Sequence, residues 1–331
     1  MKIAFIGGFG HMQLRPILSD AAFRISATAM AGDGVDNAQA RAAGQARLGD
    51  PQWFPDAHEM LRKFKPDLVN VGAVYERNAY WAMAAMEAGV PVLCEKPIAT
   101  TRAQLAQLKE TASRTGGLLF TEFSFRCRPA VLAAQQAVQA GRIGEVVLAT
   151  GQKSYKFGGK RPAWYGDRAM YGGTIGWVAS HAIDALWFCT RCPFTEVTGH
   201  QGNLTRRDYP DMEDHTVSLF RLANGGTGMV HADFLRPEPA PSHGDDRLRI
   251  VGTAGQLEMR NNRTILISGS EGVRDLTSQA EALTMHGQVI AAINGKPSVL
   301  STADSLYIAE VLLAAREAAD NGNWVRIGPP C

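Results

Sequence analysis

The 331-residue sequence has no apolar run long enough to cross a bilayer, which argues against a helical membrane protein. It also lacks a strong charge of either sign. Lys and Arg number 34 against 32 Asp and Glu, a net charge of +2, so no basic field for nucleic acid is implied. The five cysteines, Cys94, Cys127, Cys189, Cys192 and Cys331, are odd in number and far apart, unlike a disulfide scaffold. Cys189-Thr190-Arg191-Cys192 has the spacing of a metal knuckle or a redox pair. No second pair or nearby His-x-x-x-His completes four zinc ligands, so we expect no metal and read these thiols as small buried groups. The eight histidines are scattered, and no internal repeat or low-complexity linker occurs. Met1 to Ile6 is apolar but breaks at once into Gly7-Gly8-Phe9-Gly10, without the basic start and longer apolar core of a signal peptide. A cytoplasmic protein is the default expectation.

What is present is globular. Apolar residues make up 45% and charged residues 20%, and the length suits two domains. From Met1 to about Thr121 short β-rich runs alternate with longer alanine-rich amphipathic ones, which predicts a parallel sheet with crossover helices. Expected strands are Lys2–Ile6, Arg24–Met30, Leu68–Val71, Val92–Cys94 and Leu118–Phe120. A helix over Ala79–Ala88 stops at Gly89 with Pro91 beyond, and Thr101-Arg-Ala-Gln104 reads as a capping box opening the next.

Two loops in this half carry chemistry. After the first strand comes Gly7-Gly8-Phe9-Gly10-His11-Met12-Gln13. Glycines there let the backbone approach a pyrophosphate, and a following helix N-terminus offers free amides. Read from Gly8, two of the three glycine positions of a dinucleotide fingerprint are met. Asp33, at the end of the second strand, is placed to accept from the adenosine ribose hydroxyls, or is a turn aspartate beside glycine. No arginine follows it to hold a 2′-phosphate, so NAD is favoured over NADP. The other loop is Cys94-Glu95-Lys96-Pro97, at the carboxyl end of a strand, where open α/β folds bind ligands. A lysine there can polarise a substrate hydroxyl or carbonyl, and its pKa shifts readily under burial. The plainer alternative is a surface lysine in a turn before proline.

From Phe123 onward the pattern changes. Pro129 opens a helix reaching Ala140, with Gly141 as its stop. Strands are expected at Glu145–Gly151, His215–Leu222, Thr227–Leu235, Arg247–Val251 and Arg263–Ser268. Val217 and Leu219, Leu248 and Ile250, and Ile265 and Ile267 repeat at period two, as in a broad, mostly antiparallel sheet with one covered face. A closing helix starts at Ser301-Thr-Ala-Asp304 and runs to about Asp320. The loop Arg161 to Arg168 holds Trp164 and Tyr165, which could stack on a sugar face while Asp167 or Arg168 bonds its hydroxyls. His243 with Asp245 and Asp246 reads as a turn cluster rather than a metal site. His181 lies on a helix expected over Val178–Phe188, with Asp184 on the same face, a spacing that also suits a structural hydrogen bond.

With these features in place the chain resembles the Gfo/Idh/MocA family of nicotinamide-dependent oxidoreductases over nearly its whole length. The resemblance rests on the glycine loop, on Ala85 to Pro97, on Phe123 to Pro129 followed by Gly141-Arg-Ile-Gly-Glu-Val146, and on Gly172-Gly173-Thr174 running to Asp184. It implies an N-terminal Rossmann domain, here residues 1–121, and a C-terminal α/β domain with a large open sheet, residues 122–331. It further implies oxidation of a secondary hydroxyl on a sugar, polyol or cyclitol-like substrate, with NAD, or else NADP, as cofactor. Lys96 and His181 are the catalytic candidates. Gly8, Phe9, Gly10, His11, Met12, Asp33, Glu95, Lys96 and Pro97 are those for cofactor. Lys96, Arg126, Tyr155, Trp164, Asp167, Trp177 and His181 are those for substrate. A homodimer or homotetramer is implied through the open sheet face. Two positions depart from the family pattern: Trp177 stands where an aspartate is common, four residues before the histidine, and Asn78 where a histidine is frequent. The alternatives are a redox-assisted sugar lyase or hydrolase with transient NAD reduction, and a nucleotide-binding regulator without catalysis.

Overall fold

The computed structural model describes residues 1–10, 25–159 and 161–330. The chain divides into two compact units. The first comprises Met1–Glu122, Ala169–Gly172 and Thr284–Ala309. Its strands are β1 Lys2–Gly7, β2 Ala27–Ala31, β3 Gln52–Phe54, β4 Leu68–Gly72, β5 Val92–Cys94 and β6 Leu119–Thr121. They form one parallel sheet in the order β3-β2-β1-β4-β5-β6. The order reverses between β1 and β4, which opens a crevice at their carboxyl ends. β4 and β5 are buried throughout, and β1 in all but its first residue, as the continuous apolar runs of a sheet covered on both faces require.

Helices α1 Asn37–Leu48, α2 Ala57–Phe64, α3 Tyr75–Glu87 and α4 Arg102–Thr115 follow β2 to β5. Helix α3 starts four residues before the expected Ala79, because its first turn has no side-chain cap to announce it. At α4 the Thr101 hydroxyl accepts from Gln104 N at 3.1 Å as expected. The Gln104 side chain instead accepts from Thr100 N at 2.8 Å and donates to Glu76 O at 2.9 Å, so only half of the reciprocal box forms.

The second unit comprises Phe123–Arg168, Gly173–Leu283 and Glu310–Cys331. It holds β7 Val146–Tyr155, β8 Phe194–Gly202, β9 His215–Leu222, β10 Thr227–Asp233, β11 Gly244–Gly252, β12 Gly255–Arg260, β13 Arg263–Ser268, β14 Gly272–Asp275 and β15 Val325–Arg326. Their order is β14-β13-β12-β11-β7-β10-β9-β8-β15, antiparallel except between β10 and β7. Helices α5 Pro129–Gln139 and α6 Ser180–Thr190 pack on one face, where Ala149, Gly151, Val230, Leu248, Ile250, Leu257 and Leu266 are buried. The period-two pairs divide between the faces. Leu248 and Ile250 point to the helices, whereas Val217 and Leu219, each 37% exposed, point away, and Thr216, Ser218 and Phe220 take the covered side. In β13 the covered side likewise takes Thr264, Leu266 and Ser268 in place of Ile265 and Ile267. α7 Met285–Ile293 belongs to the first unit, and α8 Thr302–Asn321 contributes to both.

Candidate active site

In the first unit the glycine loop leaves β1 at the sheet's reversal point. Phe9 N donates to Gly72 O at the end of β4 at 2.8 Å, which holds the loop against the neighbouring strand. Gly10 has φ +76°, and a Cβ there would overlap the Glu95 carboxyl. Glycine is therefore required twice over, by backbone conformation and by space. Gly8 is equally tight, since a Cβ would fall 2.6 Å from Ala40 Cα on α1. This cradle fits a bound dinucleotide phosphate. Strain of about 1–3 kcal/mol at Gly10→Ala predicts a loss of NADH affinity of about fivefold to 150-fold, read by quenching of tryptophan fluorescence. His11 and Met12, also expected at the cofactor, lie outside the described residues.

Asp33 is fully buried. Its Oδ1 accepts from Val35 N at 2.9 Å and Asp36 N at 3.1 Å, and its Oδ2 accepts from Val74 N at 2.6 Å. Three amides thus share the carboxylate that was expected to bond ribose. In this conformation it ties the loop after β2 to the loop after β4.

The Glu95-Lys96-Pro97 segment follows β5, and its Lys96–Pro97 peptide is cis. Lys96 is not a surface residue. It is 1% exposed, with Nζ 3.7 Å from Glu95 Oε1, and Glu95 is 4% exposed. Asn78, noted in the sequence only as a departure, is the clamp on this segment. Its Nδ2 donates to Glu95 O and Pro97 O, both at 3.0 Å, while its Oδ1 accepts from Ala73 N at 3.1 Å. One buried amide therefore fixes the backbone on both sides of Lys96. Beyond it, at the end of β6, Glu122 N donates to Cys94 O at 2.9 Å. Burial, and then the Glu95 carboxylate, push the Glu122 carboxyl well above the usual range, with Lys96 acting in the opposite direction. Burial likewise raises the Cys94 thiol, which stays uncharged.

In the second unit, His181 is the second residue of α6 and is buried. A π-helical turn, Ile175–Ala179, precedes it and contains the buried Trp177. Such turns insert one extra residue into a helix and recur at functional sites. Glu213 fastens the entry to the turn: its Oε2 accepts from Thr174 N at 2.9 Å, its backbone carbonyl accepts from Thr174 Oγ1, and Arg168 also pairs with its carboxylate. The His181 ring sits edge-on to Phe123, with centroids 6.3 Å apart.

Asp184 is paired with Arg126. Arg126 Nε donates to Asp184 Oδ2 at 2.9 Å and Nη2 donates to Oδ1 at 2.6 Å, with the guanidinium 5.0 Å from the Phe188 ring. Arg126, expected at substrate, is 1% exposed and joins the segment Ser124–Cys127 to α6. Trp164 and Tyr165 are also buried, packed on each other with centroids 4.5 Å apart, rather than standing as an open platform. Asp167 ends the short turn that carries them. Tyr155, at the end of β7, lies 5.1 Å from the His243 ring.

A group absent from the sequence reading lies beside Tyr155. Lys153 is buried on the covered face with Nζ 2.7 Å from Asp246 Oδ1 and 3.9 Å from the Phe125 ring centroid. Burial outweighs Asp246 and lowers its pKa to about 8. Alternation along β7 was the available signal, because Lys153 occupies an inward position.

Comparison with known proteins agrees with this architecture. A family model described as an oxidoreductase family with an NAD-binding Rossmann fold matches residues 1–123, and one described as the GFO/IDH/MocA C-terminal domain matches residues 131–258. D-apiose dehydrogenase of Paraburkholderia graminis is 33% identical over 315 residues, covering 88% of this chain and 81% of that protein. The NAD(+)-dependent scyllo-inositol 2-dehydrogenase of Bacillus subtilis is 25% identical over 306 residues, 88% of this chain and 87% of that one. A solved Thermotoga maritima structure superposes with a TM-score of 0.90 at 33% identity, covering 99% of this chain and all of that one. A levoglucosan dehydrogenase complex with NADH and L-sorbose shares the fold, with a TM-score of 0.80 at 20% identity. With both family models matched in order along a Rossmann unit and a mostly antiparallel unit, the chain belongs to the GFO/IDH/MocA family of oxidoreductases.

Proposed function

We propose that this enzyme reversibly oxidises a secondary hydroxyl of a sugar, polyol or cyclitol-like compound. The observation that carries the reading is Lys96, buried and clamped by Asn78 at the carboxyl end of β5. The relatives named for D-apiose, scyllo-inositol and levoglucosan support the substrate class. Gly8, Phe9, Gly10 and the backbone of Glu95 to Pro97 would hold the dinucleotide. When bound, NAD supplies the hydride acceptor for the alcohol carbon. Lys96 would hydrogen-bond the oxygen on which negative charge develops, in a site dry enough to strengthen that contact. His181 is proposed separately, on its place in α6, as general base for the hydroxyl proton, since imidazole titrates near neutral pH. With Trp177 where the family commonly has a carboxylate, Tyr155 is the further proton-carrying candidate in the second unit.

A homodimer or homotetramer is proposed as well, supported by Val217, Leu219 and Met229, each 37% exposed on the uncovered sheet face. The buried free thiols Cys94, Cys127 and Cys189 suit a reducing compartment, in line with a cytoplasmic enzyme. No helix among the described residues is long and apolar enough to cross a membrane.

The test is titration of nucleotide-free protein with NADH and NADPH, followed by tryptophan quenching. Saturable NADH binding, then NADH production on D-apiose, scyllo-inositol or levoglucosan with NAD, is the expected result. Failure to bind either nucleotide would sink the reading.

A further inference from the structure

Beyond Lys96 itself, the end of β6 places a second carboxyl beside the Glu95–Lys96 pair. In the parallel register of β5 and β6, Cys94 lies opposite Thr121, so the next residues along, Glu95 and Glu122, leave the sheet side by side. Glu122 is 4% exposed, and its Oε1 has no hydrogen-bond partner among the described residues. Two carboxyls and one ammonium are thus enclosed together. A buried carboxylate without compensation is costly, and the Lys96 ammonium already lies 3.7 Å from Glu95.

We propose that Glu122 is a positioning residue for Lys96, a buried carboxyl whose protonation decides whether Lys96 faces one carboxylate or two. The proposal rests on the reading of Lys96 as the partner of the substrate oxygen. The charged groups that act on Glu122 among the described residues are Glu95 and Lys96, which follow β5. The neighbouring Cys94 thiol is uncharged, its pKa raised by burial, and the buried His286, 3.5 Å from Asn70 on β4, is likewise neutral, with a pKa of about 3. From α8, Ser305 Oγ accepts from Thr121 N at 3.0 Å and brings no charge.

The coupling is reciprocal. The Lys96 ammonium favours the ionised form of Glu122, so ionised Glu122 favours the ammonium of Lys96 by the same amount. While Glu122 keeps its proton it adds no negative charge beside Lys96, which can then release a proton during turnover. Once Glu122 ionises at alkaline pH, two carboxylates hold that proton on Lys96. Alcohol oxidation should then slow as pH rises, where a free lysine would only speed it.

Infrared difference spectra between the wild type and Glu122→Gln, recorded without nucleotide, test this directly. A protonated carboxyl C=O band present at neutral pH in the wild type, absent from the variant and fading at alkaline pH, is expected. Loss of a carboxylate band alone at neutral pH would overturn the proposal. Should Glu122→Gln not fold, Lys96→Met serves instead: removing the cation must carry the carboxyl band to higher pH, and an unmoved band refutes the coupling. For turnover, the fastest substrate among D-apiose, scyllo-inositol and levoglucosan is the probe. The alkaline limb of kcat should move up by about one pH unit in Glu122→Gln, roughly tenfold in rate at the top of the range. Superimposable profiles in protein that binds NADH would refute the role of Glu122 while sparing the oxidoreductase reading. Absence of NADH binding would strike that reading instead, with the infrared result standing apart from it.

Discussion

Replacing Lys96 with methionine is expected to lower kcat by about a thousandfold, with NADH affinity changed by no more than about threefold. Methionine matches the length of the lysine stem, so it fills the pocket without the ammonium. What is lost is a contact to the oxygen on which charge develops. Removing a preorganised donor of that kind costs about 10²–10³ in rate, and loss of proton transfer extends the range to about 10⁴. Lys96→Arg separates the two contributions. Arginine keeps the positive charge but cannot deprotonate in a protein. A loss nearly as large as for methionine would show that proton exchange matters, whereas substantial recovery would assign the effect to charge alone. The Glu95 carboxylate loses the ammonium 3.7 Å away in Lys96→Met, so the thermal midpoint is to be measured alongside. Turnover within tenfold of the wild type, in folded protein that binds NADH, would remove Lys96 from the mechanism.

Arg126 and Asp184 carry the largest expected effect on stability. Both are almost fully enclosed, and the guanidinium, flanked by Phe123 and Phe188, donates hydrogen bonds from Nε and Nη2 to both carboxylate oxygens, joining Ser124–Cys127 to α6. Removing one partner of a buried pair strands the other's charge, at a cost of about 3–5 kcal/mol. Arg126→Leu and Asp184→Leu should each lower the unfolding free energy obtained from urea denaturation by that amount. The double variant should lose clearly less than the sum, because no stranded charge remains. This also decides between the two readings of Arg126. A substrate-binding arginine would raise KM with little change in unfolding free energy. The structural reading predicts the reverse, with His181 disturbed indirectly through Phe123, which its ring touches.

The sequence made some of this architecture legible and hid the rest for identifiable reasons. β5 and β9 were bounded correctly because apolar or alternating runs end there at turn residues. Thr101 and Ser301 announced their helices because a hydroxyl cap is a local signal, and both accept the expected amide. β3, β14 and β15, four residues or fewer, are too short to show a period. In β8 Gly199 breaks the apolar alternation, and β12 offers only Leu257 and Met259 as an alternating pair, too few to mark a strand. The inverted faces of β9 and β13 have a different cause. Alternation reveals that a strand has two faces, and only tertiary packing selects which one the helices cover.

At the candidate site, Lys96 and Gly10 were visible because each belongs to a compact motif. Asn78 and Glu122 were not, because their roles arise between segments that only the sheet brings together. A lone glutamate closing the apolar run Leu118 to Thr121 was the one available hint. For Asp33 the sequence admits both a ribose ligand and a turn aspartate, because it shows a carboxylate near a loop but not the three amides bonded to it.

The π-helical turn before His181 constrains how this gene can change. Its five residues carry one more than a regular helix would use, so deleting a single codon between 175 and 179 would restore ordinary hydrogen bonding. The same deletion would turn the segments on either side by about 100° relative to each other. Trp177 and the Thr174 anchor would then no longer share a register with His181. A deletion that regularises the backbone would therefore dismantle the spacing on which the site depends.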